Sequence, residues 1–395
     1  MSNIQVLIIA ICSKKYCGGC KNKISWTKSV LGRVVQIFSF LSTGQGSSGS
    51  PLRTKDYHQI MKRSIIRSTG RFVPDHHVSN HDLTKILDTS DEWIRQRTGI
   101  EARYWVKEGD DVGTSDLALE ASKIALERAG WEPTDLDLIV FATMTSDLYI
   151  PGSGVILQHK LGAKKVPALD IRQQCTGFLH GLELCDAYIQ SGKAQKILMV
   201  GAETQSRFLE LTTQNRDTAV IFADGAGAVC IEAKESDEET GILASVFHAD
   251  GNYAGVLRAG VPAQKSGPVM NAEVLAKQEF LPYMDGRTVF RLAVTLLPEV
   301  ARELLEKAGI QIEDLDMVVP HQANLRINEA FRDRMKIPEE KVYNNIQQYG
   351  NTTAATIPIA LDELMEKGML KSGNNVMFIG LGAGLTWGGV IYRLP

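Results

Sequence analysis

Long apolar runs are missing from this 395-residue chain; none reaches the roughly 18 residues that a membrane-spanning helix needs. Cysteine is scarce, six in all and irregularly spaced, which excludes a disulfide framework and points to a reducing compartment. No second cysteine pair or nearby histidine accompanies Cys17-Gly-Gly-Cys20, so that spacing reads as two exposed cysteines in a tail and not as a metal site. Acids are nearly absent from residues 1–60, which hold eight Lys/Arg and only Asp56. That segment carries +7; the whole chain is −3, so residues 61–395 carry −10. This balance gives no electrostatic footprint for nucleic acid. What remains is an ordinary globular composition, 44% hydrophobic and 23% charged.

The first sixty residues, with the tract Ser42-Thr-Gly-Gln-Gly-Ser-Ser-Gly-Ser50, read as a basic extension without sustained periodicity. An upstream translation start ahead of Met61 is the favoured reading, with a cytoplasmic protein. A transit segment, which would direct the protein to a plastid or other organelle, is next. A secretory signal is weakest, because no basic region precedes the apolar run at Ile4.

The remainder repeats itself. Leu126-Glu-Arg-Ala-Gly-Trp-Glu-Pro-Thr-Asp-Leu-Asp-Leu-Ile-Val140 matches Leu305-Glu-Lys-Ala-Gly-Ile-Gln-Ile-Glu-Asp-Leu-Asp-Met-Val-Val319 at an offset of 179 residues. The same offset relates Ile197-Leu-Met-Val-Gly201 to Val376-Met-Phe-Ile-Gly380. Each unit reads helix, strand, helix, strand, so the fold class is α/β with an internal duplication. The two units span 61–235 and 236–395. Helices are expected over 114–130 and 293–309, both ending at Ala-Gly.

Cys175 falls where a short buried strand over Val166–Ile171 hands over to a helix carrying Phe178, Leu179, Leu182, Cys185 and Ile189. A helix N-terminus favours a thiolate, so a lowered pKa is expected there. That stretch alone leaves a nucleophile and an inert core cysteine equally open. The repeat separates them: Cys175 corresponds to Ala354, near the end of Tyr349-Gly-Asn-Thr-Thr-Ala-Ala355. Asn351 therefore approaches Cys175, and His321 stands at the end of the strand equivalent to Leu138–Ala142. Cys, His and Asn at strand ends suit covalent catalysis through sulfur, with imidazole and amide N–H groups facing an enolate oxygen. Gly380-Leu-Gly-Ala-Gly384 precedes a strand and not a helix, which fails the dinucleotide fingerprint and suits a close backbone approach to an oxyanion.

These stretches carry a resemblance. Asp88-Thr-Ser-Asp-Glu-Trp-Ile94, Arg97-Thr-Gly-Ile100, Gln174-Cys-Thr-Gly-Phe178, Phe222-Ala-Asp-Gly-Ala-Gly-Ala228, His321-Gln-Ala-Asn-Leu-Arg326, Tyr349-Gly-Asn-Thr352 and Gly384-Leu-Thr-Trp-Gly388 resemble the β-ketoacyl-acyl-carrier-protein synthase III family of the thiolase superfamily. The resemblance implies a thiolase-like five-layered αβαβα fold, a homodimer, and no cofactor, acyl-CoA being a substrate. It implies that acyl-CoA acylates a cysteine and that malonyl-acyl-carrier protein then condenses on it with loss of CO₂. Cys175 matches the nucleophile, and His321 and Asn351 the decarboxylation pair. The N–H groups of Cys175 and Ala383 match the oxyanion hole. Trp93 and Arg216 match an adenine sandwich and Arg97 a pyrophosphate contact; Thr89, Gly286, Phe290 and Asn324 match the pantetheine tunnel. Ile150 stands where an aromatic often closes the acyl pocket from the partner subunit. No metal is implied. Carrier-protein docking is expected on the basic rim of Arg291, Arg326, Arg332, Arg334 and Lys336.

Rival readings are narrower. A thiolase needs a second cysteine near the C-terminus, and the last here is Cys230. Condensing enzymes with a carboxylate base have only Asp147 to offer, which reads as a loop cap. An acyl-transfer relative of secondary metabolism and a non-catalytic carrier-protein-binding module stay open.

Overall fold

The computed structural model describes residues 61–259 and 281–395; the expectations for residues 1–60, the Cys17 and Cys20 pair included, lie outside the described residues. Along the first unit run β1 (Met61–Phe72), α1 (Asp91–Thr98), α2 (Thr114–Ala129), β2 (Leu138–Ala142), α3 (Ser153–Lys160), β3 (Ala168–Ile171), α4 (Gly177–Gln190), β4 (Lys196–Thr204) and β5 (Asp224–Ser236). The second unit holds β6 (Gly241–Ala249), α5 (Gly286–Ala308), β7 (Met317–Pro320), α6 (Leu325–Met335), α7 (Thr356–Glu366), β8 (Asn375–Gly382) and β9 (Thr386–Arg393). The five-stranded sheet has the order β1-β5-β4-β2-β3 and the four-stranded sheet β6-β9-β8-β7. The orders correspond strand for strand, β1, β4 and β2 matching β6, β8 and β7 at the repeat offset and β5 matching β9 by its place in the sheet, with β3 added at one edge.

Alternation along the strands sets the layers. Leu138, Val140 and Ala142 of β2 and Val376 and Phe378 of β8 face α4 and α7, forming one core between the sheets. Ile139, Phe141, Leu198 and Val200 point the opposite way, onto Leu117, Ala121 and Ala125 of α2. Met377 and Ile379 likewise meet Val300, Leu304 and Phe331 of α5 and α6. Helices, sheet, helices, sheet, helices make the five αβαβα layers. Buried Asp362 of α7 binds across them, accepting from Thr69 at 2.6 Å and pairing with Arg71 at 2.5 Å and Arg128 at 2.6 Å. A buried carboxylate so partnered is strongly destabilising to break.

The duplication is visible in the turns. α2 and α5 end on Gly130 and Gly309 with φ of 70° and 68°, the left-handed C-cap that glycine allows. The 3₁₀ turns Gln174–Thr176 and Thr353–Ala355 precede α4 and α7, and their first residues have φ of 46° and 52°. A non-glycine residue there stores about 1–3 kcal/mol of strain. Both strained residues adjoin the site, next to Cys175 and two residues after Asn351.

Two expectations need correction. The strand before Cys175 is shorter, Ala168–Ile171, and half-exposed, because it lies at a sheet edge and not in the core. The helix expected from 293 begins at Gly286, so Gly286, Phe290 and Arg291 occupy its first turns.

Candidate active site

The floor of a cavity of about 730 Å³ brings Cys175, His321 and Asn351 together. All three are buried, at 8%, 4% and 4% exposure. They come from three local devices. Cys175 sits in the 3₁₀ turn that starts α4; His321 directly follows β7; Asn351 precedes the twin turn. Backbone bonds from Asn351 N–H to Ile221 and from Ala223 N–H to Asn351 hold the last loop against Phe222.

The expectation of a thiolate at Cys175 is overturned. Burial, and next the charge of Glu203, push the thiol up to about 12, against the lowering effect of two N–H groups, those of Cys175 and Ala383. The helix terminus does supply donors, but desolvation of the charged form outweighs them. These are the two N–H groups of the expected oxyanion hole, and both face the sulfur. Gly382 explains the open approach: a Cβ there would lie 3.0 Å from Cys175 Cβ and 3.1 Å from its nitrogen.

His321 is held through Nδ1, which lies 2.7 Å from Thr356 Oγ1. Its Nε2 is buried without a hydrogen-bond partner. Burial pulls the imidazole down to about 3, so it is neutral at physiological pH. Asn351 Oδ1 accepts from Thr353 N–H at 2.9 Å, which leaves the amide N–H₂ for the cavity.

The cavity mouth carries Trp93, Arg97, Gly286, Phe290, Asn324 and Arg326. The guanidinium groups of Arg97 and Arg216 lie 4.4 and 4.8 Å from the Trp93 ring centroid, a cation–π arrangement. Arg216 also donates to the Asp88 carbonyl at 2.5 Å. Asn324 caps α6 and donates to the Arg97 carbonyl at 2.8 Å, tying α6 to α1. Arg326 lies 5.5 Å from the Phe290 ring centroid.

Other expected residues stand apart. Thr89 is not among the cavity-lining residues, and its buried hydroxyl has no partner. Ile150 is 79% exposed and does not line the cavity. Arg332 is not a free rim charge: it pairs with Asp333 at 2.9 Å and Glu339 at 3.5 Å. Arg334 is exposed and donates to the Val294 carbonyl; Arg291 and Lys336 are exposed. Asp147 caps the start of α2 through Ser115 N–H and Oγ and also accepts from Ser153, which satisfies it as a cap and removes it as a base.

Sequence reasoning missed Thr356 and Glu203. The first has no signal beyond helical spacing after Asn351. The second had one: Glu203 is the only acid in the apolar stretch Ile197-Leu-Met-Val-Gly-Ala-Glu-Thr204.

Comparisons with known proteins converge on one family. The family model described as 3-Oxoacyl-[acyl-carrier-protein (ACP)] synthase III matches residues 169–251, and the one for its C-terminal part matches 305–394. A Fusobacterium nucleatum protein named beta-ketoacyl-[acyl-carrier-protein] synthase III is 44% identical over 328 residues, covering 83% of this chain and 98% of that protein. A Clostridium novyi protein of the same name is 42% identical over 325 residues, 82% and 96% of the two chains. The crystal structure of 3-oxoacyl-[acyl-carrier-protein] synthase III from Aquifex aeolicus superposes with a TM-score of 0.76 at 41% identity, covering 84% of this chain and 99% of that one.

Proposed function

The chain belongs to the beta-ketoacyl-[acyl-carrier-protein] synthase III family, and from that membership we propose how its own residues divide the reaction. The enzyme is an acyltransferase that condenses an acyl-CoA with malonyl-acyl-carrier protein, initiating fatty acid synthesis.

Cys175 takes the acyl group. Its sulfur attacks the thioester carbonyl of acyl-CoA while the N–H groups of Cys175 and Ala383 receive the developing oxyanion. The C–S bond to CoA breaks, and the thiol proton of Cys175 ends on the CoA sulfur. Malonyl-acyl-carrier protein then enters the same cavity. Loss of CO₂ leaves an enolate, whose oxygen accepts from His321 Nε2–H and Asn351 Nδ2–H. Thr356 Oγ1 lies 3.0 Å from the Thr353 carbonyl and 2.7 Å from Nδ1; turned from the carbonyl to Nδ1, its proton sets the tautomer that carries the proton on Nε2. The enolate carbon attacks the acyl thioester, the Cys175 sulfur leaves and regains a proton, and 3-oxoacyl-acyl-carrier protein departs.

Trp93, Arg97 and Arg216 receive the CoA nucleotide, and Gly286, Phe290 and Asn324 flank the pantetheine arm. Thr89 stays outside this path. Arg291, Arg326, Arg334 and Lys336 form the rim for the carrier protein. The unit boundary at 235–236 separates the half that carries Cys175 from the half that carries His321 and Asn351. A homodimer is supported by exposed Leu148, Tyr149 and Ile150, at 53%, 57% and 79%, beside the half-exposed edge strand β3; a second copy covers them and Ile150 reaches its acyl pocket. Among the described residues no helix is long and apolar enough to cross a membrane, and we place the enzyme in the cytoplasm. Acyl-CoA is a substrate, and the reaction as written calls on no cofactor.

The observation that carries this reading is the unpartnered Nε2 of His321 in one cavity with Cys175, whose sulfur two N–H groups face. Intact-protein and peptide mass spectrometry after acetyl-CoA addition tests it. One acetyl group is expected on Cys175, none on Cys185 or Cys230, and Cys175→Ser is expected to abolish condensation. Acetylation at Cys185 would overturn the assignment.

A further inference from the structure

Glu203 is a fully buried acid that the reaction above does not use. Its carboxylate accepts from Thr145 Oγ1 at 2.6 Å, Thr143 Oγ1 at 3.1 Å and Met144 N–H at 3.2 Å. The N–H of Ala354 faces it as well and favours its charge. Three hydrogen-bond donors and that N–H surround it, and among the described residues it forms no ion pair. These partners join the end of β2 to the 3₁₀ turn of the other unit.

The repeat gives this niche an identity. At the offset of 179, Ala354 corresponds to Cys175, Thr204 to Ala383, and Glu203 itself to Gly382. The two N–H groups that face the Cys175 sulfur therefore have twins at Ala354 and Thr204. The Ala354 twin faces the Glu203 carboxylate. The Thr204 twin donates at 2.9 Å to Thr145 Oγ1, which in turn donates to that carboxylate. In the working copy Gly382 has no side chain, and the space between Cys175 and Ala383 is left for substrate. In the twin copy a glutamate fills it.

We propose that Glu203 is a positioning residue for the condensation, an internal anion seated in the duplicate of the oxyanion hole, where it locks the turns of the two units together and opposes negative charge on the Cys175 sulfur between turnovers. The titratable groups around it are few. The Cys175 turn packs against the groups that hold it, since a Cβ on Gly177 would lie 3.0 Å from Ala142 Cβ and 3.6 Å from Ala354 Cβ, and the carboxylate charge disfavours the Cys175 thiolate; His321, which lines the same cavity as Cys175, is neutral; the remaining described partners are threonine hydroxyls and backbone N–H groups. Burial pushes the Glu203 carboxyl up to about 7, so around neutral pH the charge is present in part and rises with pH. The consequence is a cysteine that resists stray electrophiles until an acyl thioester is held against it.

This inference rests on Cys175 being the acylated residue, but alkylation by iodoacetamide reads the thiol without acylation, so the two readings fail separately. Iodoacetamide reacts with the thiolate. Glu203→Gln removes the charge and keeps the shape. Its Cys175 alkylation is expected to be about tenfold faster at pH 8, the change in thiolate fraction for one pKa unit, with the rate–pH profile moved to lower pH. Glu203→Asp, which keeps the charge, is expected to retain the wild-type profile. Should the glutamine variant not fold, Thr145→Val strips a donor from the carboxylate, raises its protonated fraction and is expected to move the profile in the same direction. A folded Glu203→Gln or Thr145→Val protein with the wild-type alkylation profile overturns the proposal, whatever its thermal stability, because a purely structural role alters melting and not the thiol ionisation.

Discussion

Replacing Gly382 with alanine perturbs the oxyanion hole and leaves the nucleophile in place. The added carbon would sit 3.0 Å from Cys175 Cβ, 3.1 Å from Cys175 N and 3.3 Å from Thr176 N. Ordinary carbon contacts are about 3.5–4.0 Å, so the turn over 174–176 must give by about half an ångström. Overpacking of that size costs about 1–3 kcal/mol of stability, which this core tolerates. The functional loss is larger. Oxyanion donors act within about 2.7–3.1 Å of the developing charge, and the methyl group crowds one of only two. Losing one such donor lowers the rate by about 10²–10³-fold. Acylation and condensation both build a tetrahedral oxyanion on Cys175, so both half-reactions are expected to fall together. The mouth around Trp93 and Phe290 is untouched, so KM for acetyl-CoA is expected to hold. The assay is the initial rate of radiolabelled acetyl transfer to protein, followed by condensation with malonyl-acyl-carrier protein. Gly380→Ala is the contrast: its Cβ would lie 3.1 Å from His321 Cβ but 3.9 Å from the Cys175 carbonyl, and decarboxylation is expected to suffer more than acylation. Acetylation of Gly382→Ala within threefold of wild type would refute the reasoning.

Further outcomes follow from the same geometry. His321→Ala and Asn351→Ala are expected to slow malonyl decarboxylation by about 10²-fold or more while Cys175 still self-acylates; loss of acylation with decarboxylation intact would reverse the roles, as single-turnover measurements can decide. Thr356→Val is expected to slow decarboxylation and shift the His321 ring tautomer seen by ¹⁵N NMR, with Thr356→Ser restoring both; an unshifted ring spectrum counts against it. His321 also ties stability to pH: its folded value of about 3 lies below the ordinary 6.5, so the contribution is complete above pH 6.5 and is lost as pH falls towards 3. Between pH 6.5 and 4 that loss is about 3 kcal/mol, and His321→Asn is expected to flatten the unfolding free energy over that range in urea melts. Arg334→Glu with Lys336→Glu is expected to raise KM for malonyl-acyl-carrier protein, most at low salt, with acylation by acyl-CoA unchanged; an unaltered KM at low ionic strength would remove α6 from the docking face.

Much of this protein was legible along the chain, and the reason is that its strongest signals are local or periodic. Alternating and helical apolar spacing yields the layers, because side-chain direction follows from the backbone repeat alone. The offset of 179 places Asn351 and His321 beside Cys175, since two copies of one unit share strand ends. Glycine at 130, 309 and 382 marks two helix ends and one close approach, each a matter of one residue's missing Cβ. What sequence could not decide are quantities summed over neighbours far apart in the chain. Local reasoning gave Cys175 a thiolate from its helix terminus; burial from both sheets and the charge of Glu203 made it a thiol. Arg332 reads as a free rim charge until Glu339 folds back onto it. Glu203 reads as a stray acid in an apolar strand until Ala354, from the other unit, closes over its carboxylate. Desolvation and Coulomb energy depend on how many groups crowd a point in space, and only the packed tertiary structure fixes that number.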